Sequence, residues 1–325
     1  MKVLVVGLGS MGKRRIRLMQ RLYPEHDITG IDTSLARREE AEKLLGISTS
    51  ASLQEAYFNS HFDAAFICTS PLGHGELITQ CLELGLHIFT EINLVADRYD
   101  QNSTIAADKG LVLFLSSTPM YRHEILFITQ KTQETEMPLS YSYHVGQYLP
   151  DWHPWENYQQ FFVSNKRTNG CRELFGIELP WLLNAFGAVK SVRVSKSKKS
   201  NLKIDYDDSY LVLLEHQNGN SGVLMIDVVS RSAIRHLEVV GEALHLMWDG
   251  TPDTLKQFDL NAKAFEHISL YDEVEHREGY AANIVENAYC DEIRNFFDCI
   301  ANEAAPKHTF AKDKMILKLI DTIEN

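Results

Sequence analysis

The chain has 325 residues, which at about 150 residues per domain predicts two domains or one large α/β unit. Its 44% hydrophobic and 23% charged residues exclude a mainly disordered, collagenous or low-complexity polymer. With 32 Lys and Arg against 44 Asp and Glu, the net charge of −12 argues against a general binder of nucleic acid or anionic membrane, though not against a local basic patch.

Residues 2–6 (KVLVV) form a β-branched run suited to a strand buried on both faces, and Gly7-Leu8-Gly9-Ser10-Met11-Gly12 follows at once. Ile16, Leu18, Met19 and Leu22 then repeat at helical spacing. A G-x-G-x-x-G between strand and helix assigns Gly7 to a tight turn, Gly9 to close approach of a pyrophosphate, and Gly12 to helix–strand packing. Ser10 and Met11 open the helix whose free N–H groups and dipole favour the anion. A second apolar segment ends at Asp32, twenty residues after Gly12, where a carboxylate accepts hydrogen bonds from the adenosine ribose. It would repel a 2′-phosphate, so NAD is favoured over NADP, while Arg37 and Arg38 nearby keep NADP open. As an alternative, Asp32 caps the next helix.

The alternation continues through strands at 64–68, 87–90 and 111–115 with helices at 76–84 and ending at 104–109. Such a pattern predicts a doubly wound parallel sheet, with Thr69-Ser70-Pro71 and Glu91-Ile92-Asn93 at strand ends lining the cofactor cleft. His74 either joins that lining or serves as a helix-start residue bonding a nearby loop.

Beyond residue 118, strands are predicted at 139–145, 189–195, 210–216, 222–229, 235–240 and 243–248, with helices near 177–185, 282–301 and 312–323. The expected organisation is therefore a Rossmann domain over 1–118 and an α+β domain with a large, mostly antiparallel open-faced sheet over 119–325. The last helix is free to pack back on the first domain. The polar, aromatic loop His144, Tyr148, Asp151, Trp152, His153, Trp155 and Glu156 is a candidate for proton transfer and sugar stacking, or is a loop packed by its own aromatics. Arg122, at a strand end, could grip a carboxylate or phosphate; Arg172, Glu173 and Glu178 form a second polar cluster near a helix start. The histidines and cysteines show no metal-ligand spacing, so no metal is expected.

The five cysteines, odd in number and without a C-x-x-C pair, suggest a reducing cytoplasm, and no apolar run approaches the roughly 20 residues of a membrane span. No secretory leader is evident from the N-terminal residues.

In order, VVGLGSMG, FDAAFICTSPLGHGELITQCLELGLHIFTE, GLVLFLSSTPMYR and DEIRNFFDCI with LKLIDTI make the chain resemble the Gfo/Idh/MocA (glucose-fructose oxidoreductase / inositol dehydrogenase) family over essentially its whole length. The resemblance implies an NAD-binding domain followed by a substrate domain whose open sheet often forms an oligomer interface, here a homodimer or homotetramer. It also implies sugars, cyclitols or nucleotide sugars as substrates. Three positions depart from the family pattern: Ile92 stands where the family has lysine, Leu174 where it has Asp, and Glu178 where it has His. Two outcomes follow. Either hydride transfer continues with proton transfer rebuilt on Glu178, His153 or Tyr148, or the chain is a catalytically inactive NAD-binding regulatory protein.

Overall fold

The computed structural model describes residues 1–152, 157–275 and 284–325. Two compact units emerge: Met1–Ser117 with Tyr289–Met315, and Thr118–Ala288 with Ile316–Asn325.

In the first unit, strands β1 (Lys2–Val6), β2 (Asp27–Ile31), β3 (Ser48–Ser50), β4 (Ala64–Ile67), β5 (His87–Thr90) and β6 (Leu113–Leu115) form one sheet in the order β3-β2-β1-β4-β5-β6. Every pairing is parallel. Helices α1 (Ser10–Leu22), α2 (Leu35–Leu45), α3 (Leu53–Asn59), α4 (His74–Glu83) and α5 (Tyr99–Lys109) make the crossovers. Parallel strands need both faces covered, which is why Val3–Val6 and Ala64–Ile67 are buried throughout. Register places Phe66 beside Phe89 and Phe89 beside Phe114, so their rings stack at 4.5 and 5.2 Å. Phe296 of α8 (Glu286–Ile300) meets them edge-on. Truncating any of these rings to alanine should cost about 3–5 kcal/mol.

The second unit contains α6 (His123–Glu134), β7 (Ser140–Gly146), α7 (Gly170–Phe186), β8 (Val189–Ser197), β9 (Ser209–His216), β10 (Ser221–Asp227), β11 (Ile234–Val240), β12 (His245–Trp248), β13 (Lys256–Asp259) and β14 (Ala264–His267). Its eight strands run in the order β14-β13-β12-β11-β7-β10-β9-β8, antiparallel except for the central β7–β10 pair. α7 covers one face: Phe186 stacks on Tyr141, Trp181 meets Tyr143 and Phe175 meets Tyr210. The other face is open, and strand alternation leaves Leu211, Leu213 and Val223 exposed there. The last helix, α9 (Phe310–Glu324), begins in the first unit's share of the chain and ends in the second's.

The architecture matches the expected fold class: a Rossmann sheet followed by a mostly antiparallel one. Several elements were not legible. β3 has only three residues, and α2 carries a single buried side chain, so neither advertises a periodic apolar face. α7 starts at Gly170, seven residues before the expected 177, because Gly170, Gly176 and the internal Pro180 obscure its pattern while the Asn169 side chain caps it through Arg172 N at 2.7 Å.

Candidate functional site

The glycine loop is built as its spacing demands. Gly7 has φ +98°, and a Cβ there would lie 2.7 Å from Cys68 O; at Gly12 it would lie 1.9 Å from Gly7 O. Gly9 differs: nothing lies within 4 Å of where its Cβ would be. Gly9 also stands at the N-cap of α1 without a side-chain hydrogen bond, so the first N–H groups, at Ser10 and Met11, have no intrahelical partner. That combination, bare backbone at the positive end of a helix dipole, fits the pyrophosphate of a dinucleotide.

Asp32 follows β2 and is 9% exposed. Its Oδ2 accepts from Leu8 N at 2.9 Å and its Oδ1 from Ser34 N at 2.9 Å. The carboxylate thus braces the glycine loop, and Ser34, not Asp32, caps α2 through Arg37 N. Two acceptor positions on the carboxylate remain for ribose hydroxyls. Arg37 lies 3.7 Å from Asp32 Oδ2, and Arg38 reaches back to Asp32 O at 2.7 Å.

Behind the loop at 69–71, His74 is 1% exposed, with Nε2 2.9 Å from Thr69 O and Nδ1 2.7 Å from Asn93 Oδ1. Burial lowers its pKa, so the ring is neutral and structural at pH 7. This is the loop-bonding alternative raised for His74. Ser70 is exposed and Pro71 buried, and the Oγ1 of Thr69 is enclosed without a hydrogen-bond partner. Glu91 is bonded by Arg15, whose Nε lies 2.6 Å from Oε1; the same guanidinium reaches Glu292 at 2.7 Å. Arg15 is completely buried, so this ion-pair network holds β5, α1 and α8 together. Ile92, the next residue, is half-buried.

In the second unit the polar residues fall into separate groups. Glu178 is 1% exposed and accepts from Trp181 Nε1 at 2.7 Å, Tyr143 OH at 2.8 Å and Arg235 Nε at 3.0 Å. Three donors converge on it, the pattern of a fixed acceptor. Leu174, one turn earlier, is buried. Tyr143 and His144 are adjacent in β7 and point to opposite faces, so the sheet separates Glu178 from His144.

His144 lies on the open face, with Nε2 2.7 Å from Asp227 Oδ2. Asp227 is 0% exposed and also accepts from Val229 N, Ser230 N and Ser230 Oγ. Burial works against its charge, but the hydrogen bonds from His144 and the two N–H groups hold its carboxyl below the ordinary range. Gln147 N bonds Asp227 O at 3.3 Å, so the loop bearing Tyr148 starts beside this pair; Arg231 lies over the Tyr148 ring at 3.9 Å. Trp152 donates to Gln147 O at 3.1 Å, and Asp151 is exposed. His153, Trp155 and Glu156 lie outside the described residues.

Two arginines expected to meet substrate are engaged internally. Arg122 is no strand-end residue: it caps α6, pairs with buried Glu124, donates to Gly250 O at 3.0 Å and lies over Trp248. Arg172 pairs with Asp321 at 2.7 Å and with Glu324, fixing the end of α9. Beside it, burial pushes the Glu173 carboxyl up to about 8, and its Oε2 has no hydrogen-bond partner. Sequence reasoning missed Asp227 and Arg235, because Asp227 reaches His144 through the pairing of β7 with β10 and Arg235 of β11 reaches Glu178 of α7, both contacts far apart in sequence. Among the described residues no cluster of His, Cys, Asp and Glu could hold a metal ion, and no helix is long and apolar enough to cross a membrane.

Comparison with known proteins agrees with this geometry. Residues 1–116 match the Gfo/Idh/MocA family, described as the oxidoreductase family, NAD-binding Rossmann fold. Human (Homo sapiens) biliverdin reductase A is 26% identical over 131 residues, 40% of this chain and 44% of that protein. The chain therefore matches less than half the length of that curated relative. An oxidoreductase from Agrobacterium radiobacter, solved with NAD+, L-tartaric acid and magnesium, superposes with a TM-score of 0.81 at 12% identity over 98% of this chain and 94% of that one. The WlbA dehydrogenase from Bordetella pertussis, solved with NADH and UDP-GlcNAcA, gives 0.79 at 14% identity over 99% and 94%. At such identities the likeness is one of fold.

Proposed function

We propose that the chain, whose residues 1–116 match the Gfo/Idh/MocA oxidoreductase family, is an NAD-dependent oxidoreductase acting on a sugar, cyclitol or nucleotide sugar. The observation that carries this reading is the glycine loop: an uncapped helix start, open space at Gly9 and Asp32 braced at the end of β2. When bound, NAD supplies the hydride acceptor or donor. Gly9, Ser10 and Met11 would hold its pyrophosphate through backbone N–H groups, and Asp32 its adenosine ribose.

Oxidising an alcohol releases a proton as well as a hydride, so the chain must supply a base. His144 suits that role best among the described residues: buried Asp227 fixes one ring nitrogen and leaves Nδ1 to exchange a proton with a substrate hydroxyl. Tyr148 is a companion candidate, and His153, outside the described residues, remains one from the sequence alone. Glu178 is assigned a positioning role, since its lone pairs already receive Tyr143, Trp181 and Arg235. Glu173 remains a candidate substrate contact. WlbA, crystallised with UDP-GlcNAcA, supports sugar-type substrates.

The test is turnover of NAD+ or NADH with a panel of sugars, cyclitols and UDP-sugars, followed by nicotinamide absorbance. A second reading, an NAD-binding protein without catalysis, is favoured by apolar Ile92 and Leu174 at positions where the family carries Lys and Asp. NADH binding with no turnover across the panel would establish it. The open face of β9 and β10, with Leu211, Leu213 and Val223 exposed, supports assembly into a homodimer or homotetramer through this sheet. Light scattering should then report an oligomer that Leu213→Glu dissociates; a monomeric parent chain excludes it.

A further inference from the structure

The second unit contains an open pocket of about 710 Å³ that the proposed reaction leaves unused. Lys166, Lys198 and Lys203 line it with Asn165, Ser164 and Gln159, against one carboxylate, Asp205. Between Val189 and Lys203 the chain carries Lys190, Arg193, Lys196, Lys198, Lys199 and Lys203 and no Asp or Glu, in a protein of net charge −12. This is the local basic patch that the overall charge does not exclude. Among the described residues no carboxylate lies within ion-pair distance of the three pocket ammonium groups. Lys198 gives one proton to Ile204 O and keeps two.

The walls are firmly held. Asp208 is completely buried and accepts from Lys199 N at 2.6 Å, Ser200 N at 3.0 Å and Ser200 Oγ at 2.6 Å, fixing the turn that presents Lys198. Lys203 N donates to Tyr158 OH at 3.1 Å, and Tyr206 OH donates to Val163 O at 2.8 Å, tying this turn to the opposite wall. All three lysines are exposed and line the same pocket, so an anion seated there would meet three cations.

We propose that this pocket binds a phosphate-bearing small molecule. Lysines act on phosphate as point charges, the side-chain amides of Asn165 and Gln159 can add hydrogen bonds, and the pocket is roomy enough for a small molecule. Three cations against one carboxylate match a group with at least two negative charges better than a lone carboxylate. The inference does not depend on the oxidoreductase reading.

The test is calorimetric titration of the full chain with inorganic pyrophosphate, with excess NADH present to occupy the glycine loop. One-to-one binding is expected, weakening with salt. Lys198→Ala with Lys203→Ala should weaken it roughly tenfold or more per lysine, the worth of a charge-assisted contact. Lys190→Ala with Arg193→Ala, outside the pocket lining, should leave it within about twofold. Circular dichroism checks that both double variants fold. Competition between a sugar phosphate and a nucleoside diphosphate then identifies the natural carrier of the phosphate. Absence of pyrophosphate binding, or equal affinity in the Lys198/Lys203 variant, overturns the proposal.

Discussion

Substituting Gly9 separates cofactor binding from folding. Gly9 has φ −72° and ψ −165°, a conformation open to any residue, and no atom lies within 4 Å of its Cβ position. Gly9→Ala should therefore fold at least as well as the parent. It reduces the entropy of the unfolded chain, worth about 0.4–1 kcal/mol, so the melting temperature should stay level or rise by about 1–2 °C. On the proposed cofactor placement, the same methyl stands where a pyrophosphate would approach the N–H groups of Ser10 and Met11. Losing one charge-assisted hydrogen bond costs about 1.5–3 kcal/mol, so NADH affinity should fall at least about tenfold. Gly12→Ala is the contrasting variant, because its Cβ would lie 1.9 Å from Gly7 O and the fold itself should suffer. Differential scanning calorimetry and NADH titration measure both quantities. Parental NADH affinity in Gly9→Ala would refute the placement of the pyrophosphate.

Asp32→Ala should weaken NADH and narrow its advantage over NADPH; because the side chain also braces Leu8 N, a modest fall in melting temperature accompanies it, and tighter NADPH than NADH binding in the parent would contradict the assignment. His144→Ala and Asp227→Asn should each cut turnover about a hundredfold or more while NADH affinity holds, and an unchanged pH–rate profile in Asp227→Asn would remove the pair from the reaction. Glu173 gives a stability signal: its carboxyl, ordinarily near 4.5, is raised to about 8, so between those values the folded chain binds more protons than the unfolded one. The contribution is whole below about pH 4.5 and is lost as pH rises to about 8. Glu173→Gln should be more stable than the parent at pH 8 by up to a few kcal/mol, at about 1.4 kcal/mol per pKa unit, with the difference shrinking toward pH 5; a constant difference would show that the carboxyl is not raised.

The cofactor half of the molecule was legible because its signal is local. Gly7, Gly9, Gly12 and Asp32 lie within one strand–helix–strand unit, where spacing and geometry are the same information. The second unit resisted for the opposite reason. His144 and Asp227 are 83 residues apart and meet only because β7 and β10 pair in parallel, a register no local periodicity announces. Arg172 and Arg122 read as anion receptors in isolation, yet their carboxylate partners, Glu324 at the chain's end and Glu124 two residues on, take them inward. Glu91 likewise stands at a strand end as a cleft residue should, but its charge is met by Arg15 from a helix whose polar face could not be told apart in KRRIR.

The central claim is that this chain passes a hydride between NAD and a sugar-type substrate. Incubation of the chain with NADH carrying deuterium at nicotinamide C4 and a panel of keto-sugars and UDP-keto-sugars, followed by mass spectrometry, tests it directly. The account predicts one substrate class gaining a single deuterium, with the gain abolished in His144→Ala. Stoichiometric NADH binding with no deuterium in any product would contradict it.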